Sequence, residues 1–213
     1  MELVDESFGN QAHDSALHPY SQYLKREGEE WFWVVNSLSD EAGNAIYLAL
    51  KDRNTLHLIQ HNMDVGLTLF EEKHTTAEEL KEIFLRSDHS CDFRIRFLTP
   101  TSFKRKGEYL LFPDLFCIYQ SLMKRFDCAT GMGIFNEESL EELVERSRII
   151  EYRLNSTFFC MEKVRIPSYM GTVTVRLKGN AMMNRFAHML FQFGEYSGIG
   201  IKTALGMGAV QLL

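Results

Sequence analysis

The run Gly198-Ile199-Gly200-Ile201-Lys202-Thr203-Ala204-Leu205-Gly206-Met207-Gly208 is the most specific local feature of this 213-residue chain. Two Gly-x-Gly pairs flank a lysine. Glycine lets backbone N–H groups approach an anion with no Cβ in the way, and Lys202 adds a positive charge. A nucleoside-triphosphate loop is excluded, because Ile201 stands where glycine must precede the lysine and the strand and helix come in reversed order. The spacing also fails the Gly-x-Gly-x-x-Gly of a dinucleotide site. A tight structural turn would use the same glycines.

Two further sets of cations could contact phosphate. Lys104-Arg105-Lys106 precede Gly107 at what reads as a hairpin tip, either a phosphate contact or a solvated turn. Arg94 and Arg96 alternate with Phe93, Ile95 and Phe97, and Arg176 and Lys178 alternate with Val173, Val175 and Leu177. Each pattern describes a strand with one apolar and one basic face. Lys124 and Arg125 read as the end of a helix, where cations complement its dipole.

The elements that position these groups follow from periodicity. In the front half, Tyr20–Leu24 and Trp31–Asn36 read as a hairpin, with the two tryptophans as core and cover. Ser39 caps a helix carrying Ala42, Ala45, Ile46 and Ala49, residues 55–70 are extended, and Thr76 to Glu79 form a capping box before another helix. From residue 90 the pattern predicts a strand at 93–97, a helix opened by Pro113, a helix after Asn136, a strand over 152–165, a strand over 172–178, a helix around Met183–Phe193 ending near Gly194–Gly198, and a last strand at 209–213. The order β-α-(α)-β-β-α-β is that of a split βαβ, ferredoxin-like unit with one helix inserted. Its first and third strands are neighbours, so Arg94, Arg96, Arg176 and Lys178 would share one uncovered sheet face, with no carboxylate among them.

Composition sets the bounds. The content is that of a globular protein, 45% hydrophobic and 24% charged. No apolar run is long enough to span a membrane, and the first residues are too acidic for a secretion signal. Cys91, Cys117, Cys128 and Cys160 lack metal-site spacing and read as buried free thiols in a reducing compartment. The net charge is −6, but residues 1–89 hold 17 acidic against 7 basic side chains, while residues 90–213 hold 12 against 16. An anionic polymer would be drawn to the back of so polarised a molecule.

The ending GIGIKTALGMGAVQLL resembles the C-terminal glycine-rich loop of the CRISPR-associated repeat-RNA endoribonucleases, the Cas six type of the repeat-associated mysterious protein superfamily. FLTPTSFKRKGEYLLFPDLFCIYQSLMKRF, residues 97–126, is similar to that family's strand, basic hairpin and following helix. The resemblance implies an α+β protein of two tandem ferredoxin-like (RRM-like) domains, here residues 1–89 and 90–213, that cuts CRISPR repeat RNA without metal or cofactor. Near the start, AHDSALHPYSQY resembles the stretch bearing the family's general base. That resemblance assigns His13 as base, with His18 or Lys25 as acid or electrostatic support. It also implies a first strand and most of a first helix ahead of His13, about 30 residues that this sequence lacks, so the front domain is expected to be incomplete or rearranged.

The implied chemistry uses the RNA 2′-hydroxyl as nucleophile, giving 2′,3′-cyclic phosphate and 5′-hydroxyl ends. Histidine suits the proton abstraction because its unperturbed pKa, about 6.5, lies near working pH. The implied RNA contacts are Gly198, Gly200, Lys202, Gly206 and Gly208, the Lys104–Lys106 hairpin, and the four cations of the sheet. The implied setting is cytoplasmic, with crRNA as partner and with other CRISPR effector subunits or a second copy as candidate protein partners. The alternative is a subunit that carries repeat RNA without cutting it. A general ferredoxin-like RNA-binding protein is less well matched, since Phe93 and Phe97 fall on the buried side of their strand.

Overall fold

The computed structural model describes residues 17–85, 90–161 and 164–213. In the front half, β1 (Tyr20–Glu27) and β2 (Glu30–Ser37) pair antiparallel along their full length. Ser39 caps α1 (Asp40–Leu50), its hydroxyl accepting the Ala42 N–H as the sequence predicts. β3 (Thr55–Leu58) and β4 (Met63–Gly66) form a second hairpin. The capping box closes in both directions ahead of α2 (Ala77–Leu85): Thr76 N–H donates to Glu79 Oε2 at 2.8 Å, and Glu79 N–H donates to Thr76 Oγ1 at 3.2 Å. Among the described residues these two hairpins remain separate two-stranded ladders.

The back half builds β5 (Asp92–Thr101), β6 (Phe103–Arg105), β7 (Glu108–Leu110), α3 (Leu115–Thr130), α4 (Glu137–Arg146), β8 (Ser147–Met161), β9 (Val164–Leu177), α5 (Ala181–Ser197) and β10 (Val210–Leu212). Its four-stranded antiparallel sheet runs β10-β5-β9-β8, which puts the first and third strands at the centre as expected. Phe93, Ile95 and Phe97 of β5, with Val173, Val175 and Leu177 of β9, are fully buried with Ile118, Leu122 and Phe126 of α3 and Leu190 and Phe191 of α5. Each such side chain contributes about 1.5–3 kcal/mol by leaving water, which makes this layer the foundation for everything attached to it.

Several expectations are corrected. The strand read over 152–165 runs from Ser147 to Met161, and β9 starts at Val164, accommodating Pro167 and Gly171. Pro113 lies before α3 rather than in its first turn, and Asp114 is the cap, accepting the Cys117 N–H at 2.8 Å. α5 does end within the expected Gly194–Gly198, at Ser197 with Gly198 as its cap, and Gly194 lies inside the helix, where a Cβ would meet Leu122 at 3.0 Å. Trp31 is 64% exposed and Trp33 is also exposed, because the cover on that side of the β1–β2 hairpin lies at the Tyr20 end and stops short of them. Of the four thiols only Cys117 is buried. Met183 packs on the core as its place in the helical stripe predicts, beside an exposed Met182. Among the described residues no helix is long and apolar enough to cross a membrane.

Candidate nucleic-acid interface

The glycine run links α5 to β10 by folding tightly on itself. Ile199 N–H donates to Gly208 O at 2.8 Å, Ile201 N–H to Ser102 O at 3.1 Å, Gly208 N–H to Pro100 O at 3.0 Å, and Gly200 N–H to Ser121 Oγ at 3.1 Å. A Cβ on Gly208 would lie 2.1 Å from Ile199 O, and one on Gly200 2.5 Å from Ser102 O, with φ at 71° and 91°. Gly198 and Gly206 also take positive φ, and their amides bond Gly194 O and Thr203 O. The idea that these glycines free their amides for an anion is therefore corrected. The amides are engaged within the protein, some inside the loop and others on Pro100 O, Ser102 O, Ser121 Oγ and Gly194 O, and the missing side chains allow backbone to pack on backbone. What the loop offers outward is Lys202, exposed at φ 56°, at the head of a 3-10 turn over Thr203–Leu205. The first amides of such a turn have no carbonyl partner within it.

That turn docks on β1. Gln22 Nε2 donates to Ala204 O at 2.6 Å, and Gln22 Oε1 accepts the Trp33 indole N–H at 2.8 Å. Ala204 is buried with Tyr20 and Ala42. Ser21 Oγ donates to Tyr196 O and accepts from Asn36 Nδ2, which fixes the hairpin base to the end of α5. His18 stands 6.0 Å, ring to ring, from Tyr20, which packs on Ala204 of that turn. Lys25 is not part of this group. It lies five residues beyond Tyr20, about 17 Å along a strand, and its ammonium is paired with Glu27 Oε1 at 2.7 Å over the Phe32 ring. The Glu27 carboxylate raises the Lys25 pKa. His13 lies outside the described residues.

The cations of the sheet divide into two kinds. Arg94 and Arg96 are exposed, opposite Thr174 and Thr172 of β9. Arg176, expected to be free of carboxylates, instead grips Asp92 through Nε at 2.7 Å and Nη2 at 2.6 Å. Asp92 opens β5 in register with Arg176, an adjacency that only strand pairing creates. The guanidinium holds the Asp92 carboxyl below the usual carboxylate range. Lys178 is exposed just past β9. Sequence reasoning missed Arg153, which β8 sets opposite Thr172 on the same face, and Arg148, which pairs with Arg176 in the ladder but turns its guanidinium back to Glu145 O and Ser147 O at the end of α4. Their alternation in Arg148–Arg153 was obscured by the register shift between Ile149 and Glu151.

The Lys104–Lys106 hairpin forms as expected, turning through Lys106 and Gly107, both at positive φ. Lys104 lies over Tyr109 at 5.7 Å, and Arg105 over Phe116 at 5.3 Å with Asp114 Oδ2 at 3.4 Å. Lys106 is exposed at the tip. Lys124 and Arg125 do not end α3, which continues to Thr130. Arg125 is instead 6% exposed beneath the glycine loop, donating to Gly200 O at 3.4 Å. Its Nε and Nη1 have no acceptor, and burial lowers its pKa to about 10.

Comparison with known proteins places this arrangement. The sequence profile of the family described as CRISPR-associated endoribonuclease Cas6 matches residues 95–210. Over 213 residues the chain is 32% identical to the CRISPR-associated endoribonuclease Cas6 of Streptococcus thermophilus, covering 100% of this chain and 87% of that protein. It is 28% identical over 215 residues to the enzyme of the same name from Mycobacterium tuberculosis, covering 100% and 68%. Among solved structures, Thermus thermophilus Cas6 superposes with a TM-score of 0.70 at 19% identity, covering 98% of this chain and 85% of that one. A Cas6 product complex superposes with a TM-score of 0.82 at 21% identity, covering 99% and 88%. The structural likeness establishes the fold, α+β with tandem ferredoxin-like units.

Proposed function

This chain belongs to the Cas6 family of CRISPR-associated endoribonucleases, and from that premise we propose that it binds CRISPR repeat RNA and cleaves it to mature crRNA. The observation that carries the reading is the docking of the Thr203–Leu205 turn on β1 through Gln22 and Ala204. It unites an electropositive back half, which attracts the RNA, with the strand that His18 enters and the His13 segment precedes. Residues 90–213 hold the RNA, and residues 1–89 bring the histidines.

The chemistry follows from the substrate. His13 removes the 2′-hydroxyl proton, the oxygen attacks the adjacent phosphorus, and the 5′-oxygen leaves with a proton. A 2′,3′-cyclic phosphate and a 5′-hydroxyl result. Of the two candidate acids His18 lies nearer the docked turn, beside Tyr20, which packs on Ala204, whereas Lys25 stands about 17 Å further along β1. Lys202 offers its charge to the phosphate from the loop. Lys104 and Lys106 meet the RNA backbone, and Arg94, Arg96 and Lys178 extend the positive field, whereas Arg176 does so only in partnership with Asp92. The reaction needs no metal and proceeds in the cytoplasm, with CRISPR effector subunits or a second copy as the candidate protein partners.

The test is incubation of the protein with cognate repeat RNA in EDTA beside His13→Ala and His18→Ala. Wild type cuts and leaves a cyclic phosphate. His13→Ala binds equally but cuts 10²–10⁴-fold more slowly, at about the scale of a lost general base. Tight binding with no cleavage by any form would make the protein a carrier of repeat RNA instead.

A further inference from the structure

Between the first turn of α3, the last turn of α4 and the start of β8 lies an open cavity of about 570 Å³, lined by Arg105, Pro113, Phe116, Val144, Arg148 and Ile149. Beside it, Phe112 and Tyr152 meet edge to face, with ring centroids 5.4 Å apart at 88°. Tyr152 lies opposite Val173, on the helix-covered side of the sheet, yet it is 59% exposed because β8 is the edge strand; Phe112 is 49% exposed. Two large aromatic rings held open to solvent next to two guanidinium groups make an unusual surface for a protein to keep uncovered.

The charges of the cavity are arranged for an anion. Its one carboxylate, Asp114, is already engaged, with Oδ1 accepting the Cys117 N–H and Oδ2 facing Arg105. Arg148 turns Nη1 back to Glu145 O and Ser147 O, at 2.8 and 2.6 Å, and is exposed. The location ties the cavity to the proposed RNA path. Ser102 supports the glycine loop through Ile201, and Arg105 is three residues further along the same segment, about 10 Å away. Lys104 and Lys106 line that route.

The geometry points to a second RNA subsite here: an unpaired nucleotide of the bound repeat RNA stacks its base on Tyr152, whose ring Phe112 supports edge to face, while Arg148 and Arg105 take its phosphate. This rests on the reading of the protein as an RNA-binding enzyme and adds where a single-stranded portion is gripped. Unpaired bases expose faces that aromatic rings can cover, whereas bases inside a duplex do not. The arginines favour a polyanion over an apolar protein surface as the occupant. The sharing of labour also fits, because the glycine-loop amides are already engaged by other protein groups.

The experiment places 2-aminopurine in turn at each unpaired position of the repeat RNA and reads its fluorescence on binding. Wild type should quench it at one position. Tyr152→Ala should abolish that quench and, combined with Phe112→Ala, weaken binding about 5- to 150-fold, the range for one stacked base. Tyr152→Phe should retain both, and Trp31→Ala, an equally exposed aromatic elsewhere, should change neither. The salt slope should be unchanged in Tyr152→Ala and smaller by about 0.7 in Arg148→Gln. Wild-type affinity and quenching in the double aromatic variant would overturn the subsite while leaving the RNA reading intact. A change in oligomeric state without a change in RNA affinity would overturn it too, assigning the patch to a second copy. Absence of RNA binding by wild type would remove both readings.

Discussion

Gln22 Nε2 donates to the Ala204 carbonyl at 2.6 Å across 182 residues of sequence. Through it the third residue pair of the first described hairpin is pinned to the 3-10 turn of the C-terminal loop, and Trp33 holds the same amide from the other side at 2.8 Å. The candidate acid and the candidate phosphate ligand therefore share one rigid junction.

Replacing Gln22 with Ala should lower stability by about 1–2 kcal/mol, the worth of two ordinary hydrogen bonds. It should reduce single-turnover cleavage more than RNA affinity, because the back half still binds. Measuring the rate and the dissociation constant on the same variant separates these effects. An equal loss in both would deny the junction a positioning role.

The glycines of the loop differ in cost from a glycine in open space. Gly208→Ala places a Cβ 2.1 Å from Ile199 O at a φ of 71° and should destabilise by more than about 3 kcal/mol. Gly28→Ala has a similar φ, 61°, with nothing within 4 Å, and should cost only about 1–2 kcal/mol. Urea unfolding of the two variants checks the ordering.

Arg125 is a buried cation with two unpaired donors. Arg125→Met should be neutral or stabilising, and Arg125→Lys destabilising, since lysine keeps the charge but loses the planar reach to Gly200 O. Its folded pKa, about 10, lies below the free value. The folded state therefore pays for the charge below pH 10, and this penalty fades as pH rises through 10. The advantage of the Met variant in thermal unfolding should shrink over that interval.

The Asp92–Arg176 pair acts in the opposite direction. Arg176 depresses the Asp92 carboxyl, so the stability the pair provides is present above the ordinary carboxylate range and is lost as pH falls through the lowered value. Wild type and Asp92→Asn should differ in melting temperature at pH 6 and converge at the acid end. A constant difference would place the effect elsewhere.

Thiol titration offers a direct check on the core. Cys91, Cys128 and Cys160 are exposed and should react promptly with a thiol reagent, whereas Cys117 is buried, with its pKa raised to about 11 by burial, and should react only on unfolding.

Local signals in the chain were sufficient for what is local. The alternation through Phe93–Phe97 and Val173–Leu177 determined two strands with a basic face, Ser39 and Thr76 determined two helix starts, and the glycine-rich ending marked the loop, because each depends on residues within a few positions of one another. Tertiary structure decided the meaning of those same residues. Asp92 and Arg176 are 84 positions apart and meet only through the β5–β9 register, Arg125 is buried only because the glycine loop closes over it, and Lys25 is separated from His18 by the straightness of β1. The reason is physical: periodicity fixes which face a side chain takes, but the charge it meets and the water it loses depend on which strand or loop packs against that face.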